Sequence, residues 1–459
     1  MTAISRRRLG HLMIGTMSAS VARRALAVPT PKMPRGAEIR SLRLFAEKTH
    51  PRACEARSDP DWQVRWNRLE QIADTLTDGA YFMESRRALA WFGDGHTTIL
   101  PFEFTGGVPE TFKAGPFGLT LPFRARAFDD GVFIVSATDS RQAILGAEIA
   151  RVGNADASTL IMTVAREWPG NLAWAHRWAA MPFSRPALLQ GLGAIGDPAA
   201  PIPFALLRNG QGQAVRLAPD RKDNPPRVDV ARLKTDRENW AGAAGRGNYV
   251  RLLADRRAIY VSIDEMADSE GMSFERLTRE MVSAFDHSET DRLIIDLRRN
   301  GGGNNLLGEP MRKIIGASRF NRWGGLYLLI GPQTFSAAQN LANRLERETL
   351  AIFVGTPTGG APNHYGDATL FAGEATGISA IISTLPWFDS SPQDKRPWIM
   401  PDIIVPDRFS DWIAGRDSAF ERAVSHQPEG HVALQSTDRS LYFQRPSQAA
   451  IWRPFWNRA

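Results

Sequence analysis

The stretch Gly331-Pro-Gln-Thr-Phe-Ser336-Ala-Ala-Gln follows an apolar run of strand length, Leu326-Tyr-Leu-Leu-Ile330, and precedes Asn340-Leu-Ala-Asn-Arg-Leu-Glu, which has amphipathic helical spacing. A strand, a tight turn and a helix start can hold a serine hydroxyl rigidly. The first N–H groups of the helix then point at whatever the hydroxyl attacks. A nucleophilic serine requires such a setting. The simpler interpretation is that Thr334 or Ser336 is a helix N-cap, a common use of these residues.

A glycine-rich loop lies upstream of this turn. The buried-type strand Leu293-Ile-Ile-Asp296 runs into Leu-Arg298-Arg-Asn300-Gly301-Gly302-Gly303. Glycines let the backbone approach a ligand closely and leave N–H groups free to point at it, which an oxyanion hole requires. The alternative is a flexible turn between a strand and a helix. The P-loop pattern G-x-x-x-x-G-K-[ST] does not occur, so the loop does not indicate nucleotide binding.

Together these stretches resemble the C-terminal processing (tail-specific) serine peptidases and the tricorn core protease. Residues 296–303 resemble the family's D-L-R-x-N-x-G-G, and residues 334–338 resemble T-x-S-A-[AS]. Residues 352–360 resemble V-G-x-x-T-x-G, while residues 401–405 and 415–423 resemble the closing P-D-x-x-V and G-x-D segments. The resemblance covers residues 250–425 and, more loosely, residues 85–220.

The chain differs from the tail-specific members at the residue that serves them as the general base. They carry a lysine in T-x-G-K-G, whereas this chain reads Thr358-Gly-Gly-Ala361-Pro. A serine without a base is a poor nucleophile at neutral pH. Gly93-Asp94-Gly95-His96-Thr97-Thr98 resembles the D-G-H-T loop of the histidine-using branch, which implies that His96 is the base. His364 lies close to the position of the missing lysine, and it stays open as a rival base or a substrate contact.

The resemblance also implies an acid that orients the histidine and an oxyanion hole. The family's acid is a glutamate beyond the serine, and its spacing lands in residues 391–398, where Asp394 is the only acid. Asp389 is the alternative, and either could be a loop aspartate paired with Arg396. The N–H groups of Gly302 and Ala337 are expected to form the oxyanion hole. Arg298 and Asn300 are expected to brace the loops.

The hydrophobic pattern predicts an α/β protein in several units. We expect an N-terminal helical segment (residues 28–112), a PDZ-like β module with a helical insertion (residues 113–221), a catalytic core (residues 222–430) and a C-terminal tail (residues 431–459). The core alternates strands and helices, which implies parallel βαβ units. The family resemblance implies that this core is a ClpP/crotonase-like ββα superhelix. A PDZ groove captures a peptide by adding it as a strand.

The first 27 residues have the pattern of an export signal. Ser5-Arg-Arg-Arg-Leu-Gly10 precedes a short apolar stretch and Ala25-Leu-Ala27, a signal with twin-arginine character. We therefore expect a periplasmic or secreted protein. The apolar run is too short to span a bilayer, and no later one reaches that length, so no membrane span is expected in the mature chain. Residues 1–27 hold five Arg and no acid, so without them the formal net charge falls from +7 to +2.

The family resemblance implies a serine endopeptidase that acts on peptide or protein substrates. No basic stripe interleaved with aromatic residues argues for nucleic acid. A single Cys, Cys54, and scattered histidines give no metal signature, so no metal, nucleotide or other cofactor is expected. Two alternatives stay open: an inactive PDZ-containing peptide-binding protein, and an acyl-CoA enzyme of the crotonase fold. The intact Gly93–Thr98 loop argues against the first and the export signal against the second.

Overall fold

The computed structural model describes residues 33–102, 107–221, 228–229, 247–269 and 271–427. The export signal of residues 1–27 and the tail of residues 431–459 lie outside the described residues. Among the described residues, no helix combines the length and the apolar character needed to cross a membrane.

The N-terminal unit is helical. It comprises α1 (Arg35–Thr49), α2 (Ala53–Ser58), α3 (Pro60–Ile72) and α4 (Asp78–Leu89), followed by the short β1 (Thr98–Ile99) and α5 (Glu110–Lys113). Asp59 caps the start of α3 by accepting from the N–H groups of Asp61 and Trp62. Trp62 and Trp66 are fully buried in the core that these helices share. The helices thus hold the 93–98 loop at the edge of a packed unit.

The second unit is a sheet with helical additions. Its strands are β2 (Phe123–Phe128), β3 (Gly131–Ala137), β4 (Glu148–Val152), β5 (Ala155–Asp156), β6 (Ile202–Arg208), β7 (Gln211–Leu217) and β8 (Val228–Asp229). Its helices are α6 (Ala157–Glu167), α7 (Leu172–Trp178) and α8 (Pro186–Gly191). The strand order is β2-β3-β4-β6-β7. The β6–β7 hairpin and the helical insertion match the sequence patterns, whereas the PDZ-like identity stays a prediction.

The third unit is a core sheet covered by helices. Its strands are β9 (Tyr249–Leu253), β10 (Ala258–Ser262), β11 (Arg292–Asp296), β12 (Leu326–Ile330), β13 (Ile352–Gly355) and β18 (Ile403–Ile404), in the order β18-β13-β12-β11-β10-β9. All neighbours pair in parallel except β9 and β10. Helices α9 (Phe274–Ala284), α10 (Gly308–Ala317), α11 (Ala337–Glu348), α12 (Phe409–Ile413) and α13 (Ser418–Ser425) complete the unit. The predicted α/β fold class is confirmed, while the domain boundaries stay predictions.

Four further strands connect the core to the N-terminal unit. They are β14 (Asn363–Gly366), β15 (Thr369–Ala372), β16 (Ser379–Ile382) and β17 (Leu385–Phe388). Strand β16 pairs with both β15 and β1, and β14 pairs with β17. The buried carboxylate of Glu38 in α1 accepts from the N–H groups of Ala375 and Thr376 in the β15–β16 turn. The sequence pattern did not predict this connection between the first helix and the core.

Candidate active site

Ser336 occupies a strained backbone position at the start of α11. Its φ and ψ are 53° and −125°, a conformation that non-glycine residues rarely adopt. Such a conformation costs on the order of 1–3 kcal/mol and persists only where the surrounding structure enforces it. The Ser336 Oγ makes no hydrogen bond to any other described residue, so the side chain does not cap the helix. The simple N-cap interpretation of Ser336 is therefore wrong.

The surrounding structure enforces this conformation through bonds to the glycine-rich loop. The Thr334 hydroxyl donates to the Leu297 carbonyl at 2.9 Å, and the Phe335 N–H donates to the Asn300 carbonyl at 3.1 Å. The Gln333 side-chain amide donates to the Arg299 carbonyl at 2.7 Å. Three consecutive residues before Ser336 are thus bonded to the loop that follows β11. The strain at Ser336 is held by this pairing of two loops.

Gly302 lies directly against Ser336. Its φ is +116°, and a Cβ built on it would lie 2.5 Å from the Ser336 Cβ and 3.1 Å from the Ala337 nitrogen. Only glycine therefore fits here. However, the Gly302 N–H already donates to the Asn300 Oδ1 at 2.9 Å. The N–H groups of Ala337 and Gly303 have no hydrogen-bond partner among the described residues. The predicted oxyanion donor Ala337 is free, whereas the predicted donor Gly302 is occupied in this structure.

The 93–98 loop, which carries His96, is held in place by the strands next to the core as well as by its own helical unit. Strand β1, directly after the loop, pairs with β16 antiparallel, Thr98 opposite Ile381. The Ser383 N–H at the end of β16 donates to the Thr97 hydroxyl at 3.1 Å. These contacts join two segments far apart in sequence. They place the His96 imidazole beside the turn that holds Ser336.

The His96 ring packs between two other rings. It stacks on Phe335 with a centroid distance of 4.3 Å and lies parallel to His364 at 5.6 Å. Trp174 of α7 stacks on Phe335 at 4.0 Å, so the helical insertion also reaches this site. The His96 residue is only 4% exposed, and neither ring nitrogen has a hydrogen-bond partner among the described residues. The His96 ring therefore lies next to the turn that contains Ser336 but is not hydrogen-bonded to Ser336.

Asp94 is the acid that meets the His96 ring. Its Oδ1 lies 3.7 Å from the His96 Nδ1 and accepts the His96 backbone N–H at 3.0 Å. Its Oδ2 accepts the hydroxyls of Ser383 at 2.5 Å and Thr97 at 2.7 Å. Burial opposes the charge, but the facing groups of His50, His96 and Ser383 outweigh burial and hold the pKa of Asp94 well below its usual value. Asp94 is therefore an ionised, buried carboxylate.

Asp394 does not contact His96. Its oxygens accept the Ser390 hydroxyl at 2.6 Å and the Arg396 guanidinium at 2.8 Å. Arg396 in turn binds Glu346 of α11 at 2.8 Å. Asp389, the alternative, accepts from Arg344 at 3.3 Å. The sequence-based assignment of Asp394 to the His96 ring is not the arrangement found, because this aspartate is neutralised by an arginine two residues away.

His364, the rival base, lies beside His96. Its Nδ1 lies 3.0 Å from the Ala361 carbonyl oxygen, and it therefore carries a proton that it donates there. Burial and the neighbouring His96 lower the pKa of His364 to about 4. The ring is therefore neutral at physiological pH. Ala361 stands where the sequence resemblance placed a lysine, and its methyl group supplies no cation there.

Arg298 joins the glycine-rich loop to α13. Its guanidinium binds Asp296 at 2.6 Å and Asp417 at 2.6 Å, and both carboxylates are nearly inaccessible. Asn300 donates to the Ile263 carbonyl at 2.9 Å. Both residues hold backbone segments in place, as their sequence position led us to expect. Among the described residues, no group of three or more His, Cys, Asp or Glu side chains is placed to hold a metal ion.

Sequence reasoning missed two residues of this site, Asp94 and His50. Asp94 was visible in the Asp94-Gly95-His96 triplet, where a tight turn can bring a carboxylate back to the ring two residues on. His50 carries no sequence signal, because only the packing of α1 against the 93–98 loop brings it close.

Comparisons with known proteins support the fold. No protein-family model matches the chain, and no curated protein matches its sequence. Mature CPAF complexed with lactacystin aligns over 84% of this chain and 98% of that chain, with a TM-score of 0.54 and 13% identity. A second structure of mature CPAF aligns over 84% and 97%, again with a TM-score of 0.54 and 13% identity. The photosystem II D1 C-terminal processing protease aligns over 84% and 99% at 12% identity, with a TM-score of 0.37 that is too low to establish a shared fold.

The chain therefore shares the fold of CPAF. At 13% identity this likeness establishes the architecture and not the chemistry. The predicted fold class is confirmed by it, whereas membership of the C-terminal-processing peptidases stays a prediction. The histidine-using branch stays a prediction.

A methyl group at Gly302 should disable the site. We expect Gly302→Ala to reduce the reaction of Ser336 with a fluorophosphonate probe at least about a hundredfold, because the added Cβ must displace Ser336 and the α11 N-terminus. Gly301→Ala is the matched control, since a Cβ there meets no atom within 4 Å and its φ is not in the left-handed region. Equal labelling of the two variants would show that the loop does not constrain the serine.

Proposed function

We propose that this protein is an exported serine peptidase in which Ser336 is the nucleophile, His96 the general base and Asp94 the orienting acid. The observation that carries the proposal is the strained conformation of Ser336 at the start of α11, beside the His96 ring. Backbone strain at this half-buried serine has no structural use here, since the side chain caps nothing. It does present the hydroxyl and the free Ala337 N–H to the same substrate carbonyl.

The proposed reaction follows from these positions. Asp94 fixes the His96 proton on Nδ1, which leaves Nε2 to take the proton of the Ser336 hydroxyl as that oxygen attacks the peptide carbonyl. The Ala337 and Gly303 N–H groups stabilise the negative oxygen that forms. The His96 imidazolium then gives its proton to the leaving amine. Water next attacks the acyl-enzyme carbonyl while His96 accepts a proton from it, and His96 returns that proton to the Ser336 oxygen as the acid product leaves. The His96 ring must turn toward Ser336 when substrate binds, because it is not bonded to Ser336 in this structure.

Export and substrate class belong to the same proposal. The arginine-rich start, apolar centre and Ala25-Leu-Ala27 of the leader support transport out of the cytoplasm to a periplasmic or secreted location. The substrate is a peptide or protein, and the β2–β7 unit, if PDZ-like, would present it as an added strand. The histidine-using branch of the C-terminal-processing and tricorn-like peptidases is the group whose sequence pattern fits best.

Replacing Ser336 tests the nucleophile. We expect Ser336→Ala and Ser336→Gly both to lose fluorophosphonate labelling and proteolysis completely. We also expect the glycine variant to be more stable than the alanine variant by about 1 kcal/mol in urea unfolding, because glycine adopts a positive φ without a Cβ penalty. Retained proteolysis in a folded Ser336→Ala protein would rule out the peptidase mechanism. A wild-type protein that never reacts with the probe would favour the inactive peptide-binding alternative.

Substitution and the pH dependence of the rate distinguish the two candidate bases, His96 and His364. We expect His96→Ala to lower the labelling rate nearly as far as Ser336→Ala, and His364→Ala to have a much smaller effect. A base must be neutral to act, so the wild-type rate should fall at acid pH as the base takes up a proton. Burial lowers the pKa of His364 to about 4, so a His364 base would keep the rate high down to about that pH. Measured rates between pH 4 and 9 decide between them.

The two candidate acids are compared by the same substitution. We expect Asp94→Asn to lower the labelling rate by about 10²–10⁴ while binding is little changed, because a carboxylate that orients the base contributes to rate. Asp394→Asn should leave the rate within about threefold and lower the thermal midpoint, since Arg396 loses a partner in a partly buried ion pair. The reverse result would return the orienting role to Asp394.

A further inference from the structure

A second buried histidine lies on the far side of Asp94. The His50 Nε2 is 3.6 Å from the Asp94 Oδ2, and the two side chains are 0% and 2% exposed. His50 lies just past the C-terminal end of α1, where its backbone N–H donates to the Ala46 carbonyl at 3.0 Å. Helix α1 therefore delivers an imidazole to the carboxylate that His96 faces from the opposite side.

The backbone fixes which nitrogen of His50 carries the proton. The Arg52 N–H donates to the His50 Nδ1 at 3.0 Å, so Nδ1 is an acceptor. A neutral imidazole with an acceptor at Nδ1 has its proton on Nε2. That proton points toward Asp94. At 3.6 Å the contact with the Asp94 Oδ2 is longer than a hydrogen bond, and the His50 Nε2 has no hydrogen-bond partner among the described residues.

Packing leaves the His50 ring little freedom. It stacks on Phe92 with a centroid distance of 3.9 Å and an interplanar angle of 26°, and Tyr365 of β14 covers it at 4.9 Å. Rotation of the ring would break the bond from Arg52 and expose a polar nitrogen to these aromatic faces. A rotated ring would leave the partly buried Arg52 N–H without its acceptor, which favours the observed orientation.

The two carboxylate oxygens of Asp94 face different partners. Oδ1 faces the backbone and ring of His96, whereas Oδ2 faces His50 and accepts from Ser383 and Thr97. We propose that His50 is a positioning residue of the active site: its Nε2–H draws charge toward Oδ2 and sets how strongly Oδ1 stabilises a protonated His96. This inference rests on the proposed peptidase function and adds a residue to it.

The consequence is a predictable shift in pH dependence. Without the His50 donor, more of the carboxylate charge faces His96, so protonated His96 is favoured and the base is lost at a higher pH. The other titratable and charged groups around this chain of residues are His364 beside His96, Tyr365 over His50, and the Arg52 guanidinium, which binds Glu55. None of these changes in the variants below.

The test uses two amides that mimic different nitrogens of His50. In His50→Asn the side-chain oxygen replaces Nδ1 and can accept the Arg52 N–H, but no group at position 50 donates to Asp94. In His50→Gln the terminal NH₂ replaces Nε2 and can donate to Asp94. The full chain of each variant is reacted with a fluorophosphonate probe between pH 4 and 9, and its thermal midpoint is measured. We expect the acid limb of the rate profile of His50→Asn to move up by about 0.5–1 pH unit, and that of His50→Gln to stay within about 0.3 of wild type.

Each outcome decides the inference. Acid limbs that coincide for wild type, His50→Asn and His50→Gln would overturn the role of His50 while leaving Ser336 and His96 in place. Equal shifts in both amide variants would also overturn it, because they would reflect loosened packing. His176→Asn, at a buried histidine of the second unit, is the matched control and should leave the acid limb unchanged. Failure of the proposed function itself appears separately, as wild-type protein that does not label at Ser336.

Discussion

The site depends on the parallel pairing of β11 with β12. This pairing sets Ile295 opposite Leu328 and Asp296 opposite Leu329, so both strands end at the same edge of the sheet. The loops that follow them are the glycine-rich loop and the serine turn, and three hydrogen bonds then join these loops directly. The strained conformation of Ser336 is possible because a rigid sheet supplies both partners. A slip of one residue in this register would turn the buried faces outward and separate the loops.

The histidine side of the site is assembled by longer connections. Ser383 follows β16 and binds Asp94, 289 residues away in sequence. Glu38 in α1 accepts from the β15–β16 turn, and the same helix ends at His50. One ribbon, β15–β16, thus aligns both the first helix and the 93–98 loop with the core. The N-terminal unit does not merely cover the core sheet, because it supplies the imidazoles and the carboxylate of the proposed mechanism.

Much of the core could be predicted from the sequence, and the reasons are local. The strands β10–β13 are continuous apolar runs bounded by turns, a pattern that identifies buried parallel strands. The serine turn and the glycine-rich loop were recognisable because their chemistry requires particular residues in consecutive positions. Asp94 and Asp394 could not be ranked in this way. Each aspartate lies in a polar turn, and only the tertiary contacts show that Arg396 neutralises one while His50 and His96 flank the other.

The buried charge of Asp94 explains why these parts must fold together. An isolated carboxylate in a nonpolar interior is strongly disfavoured, so it requires donors on both oxygens. The 93–98 loop supplies Thr97 and the backbone of His96, α1 leads to His50, and the core supplies Ser383. If any one of these groups is displaced, the Asp94 carboxylate loses part of the interactions that stabilise its charge. The 93–98 loop then loses contacts that hold its conformation. The arrangement that orients the base is therefore also an interaction that holds the helical unit against the sheet.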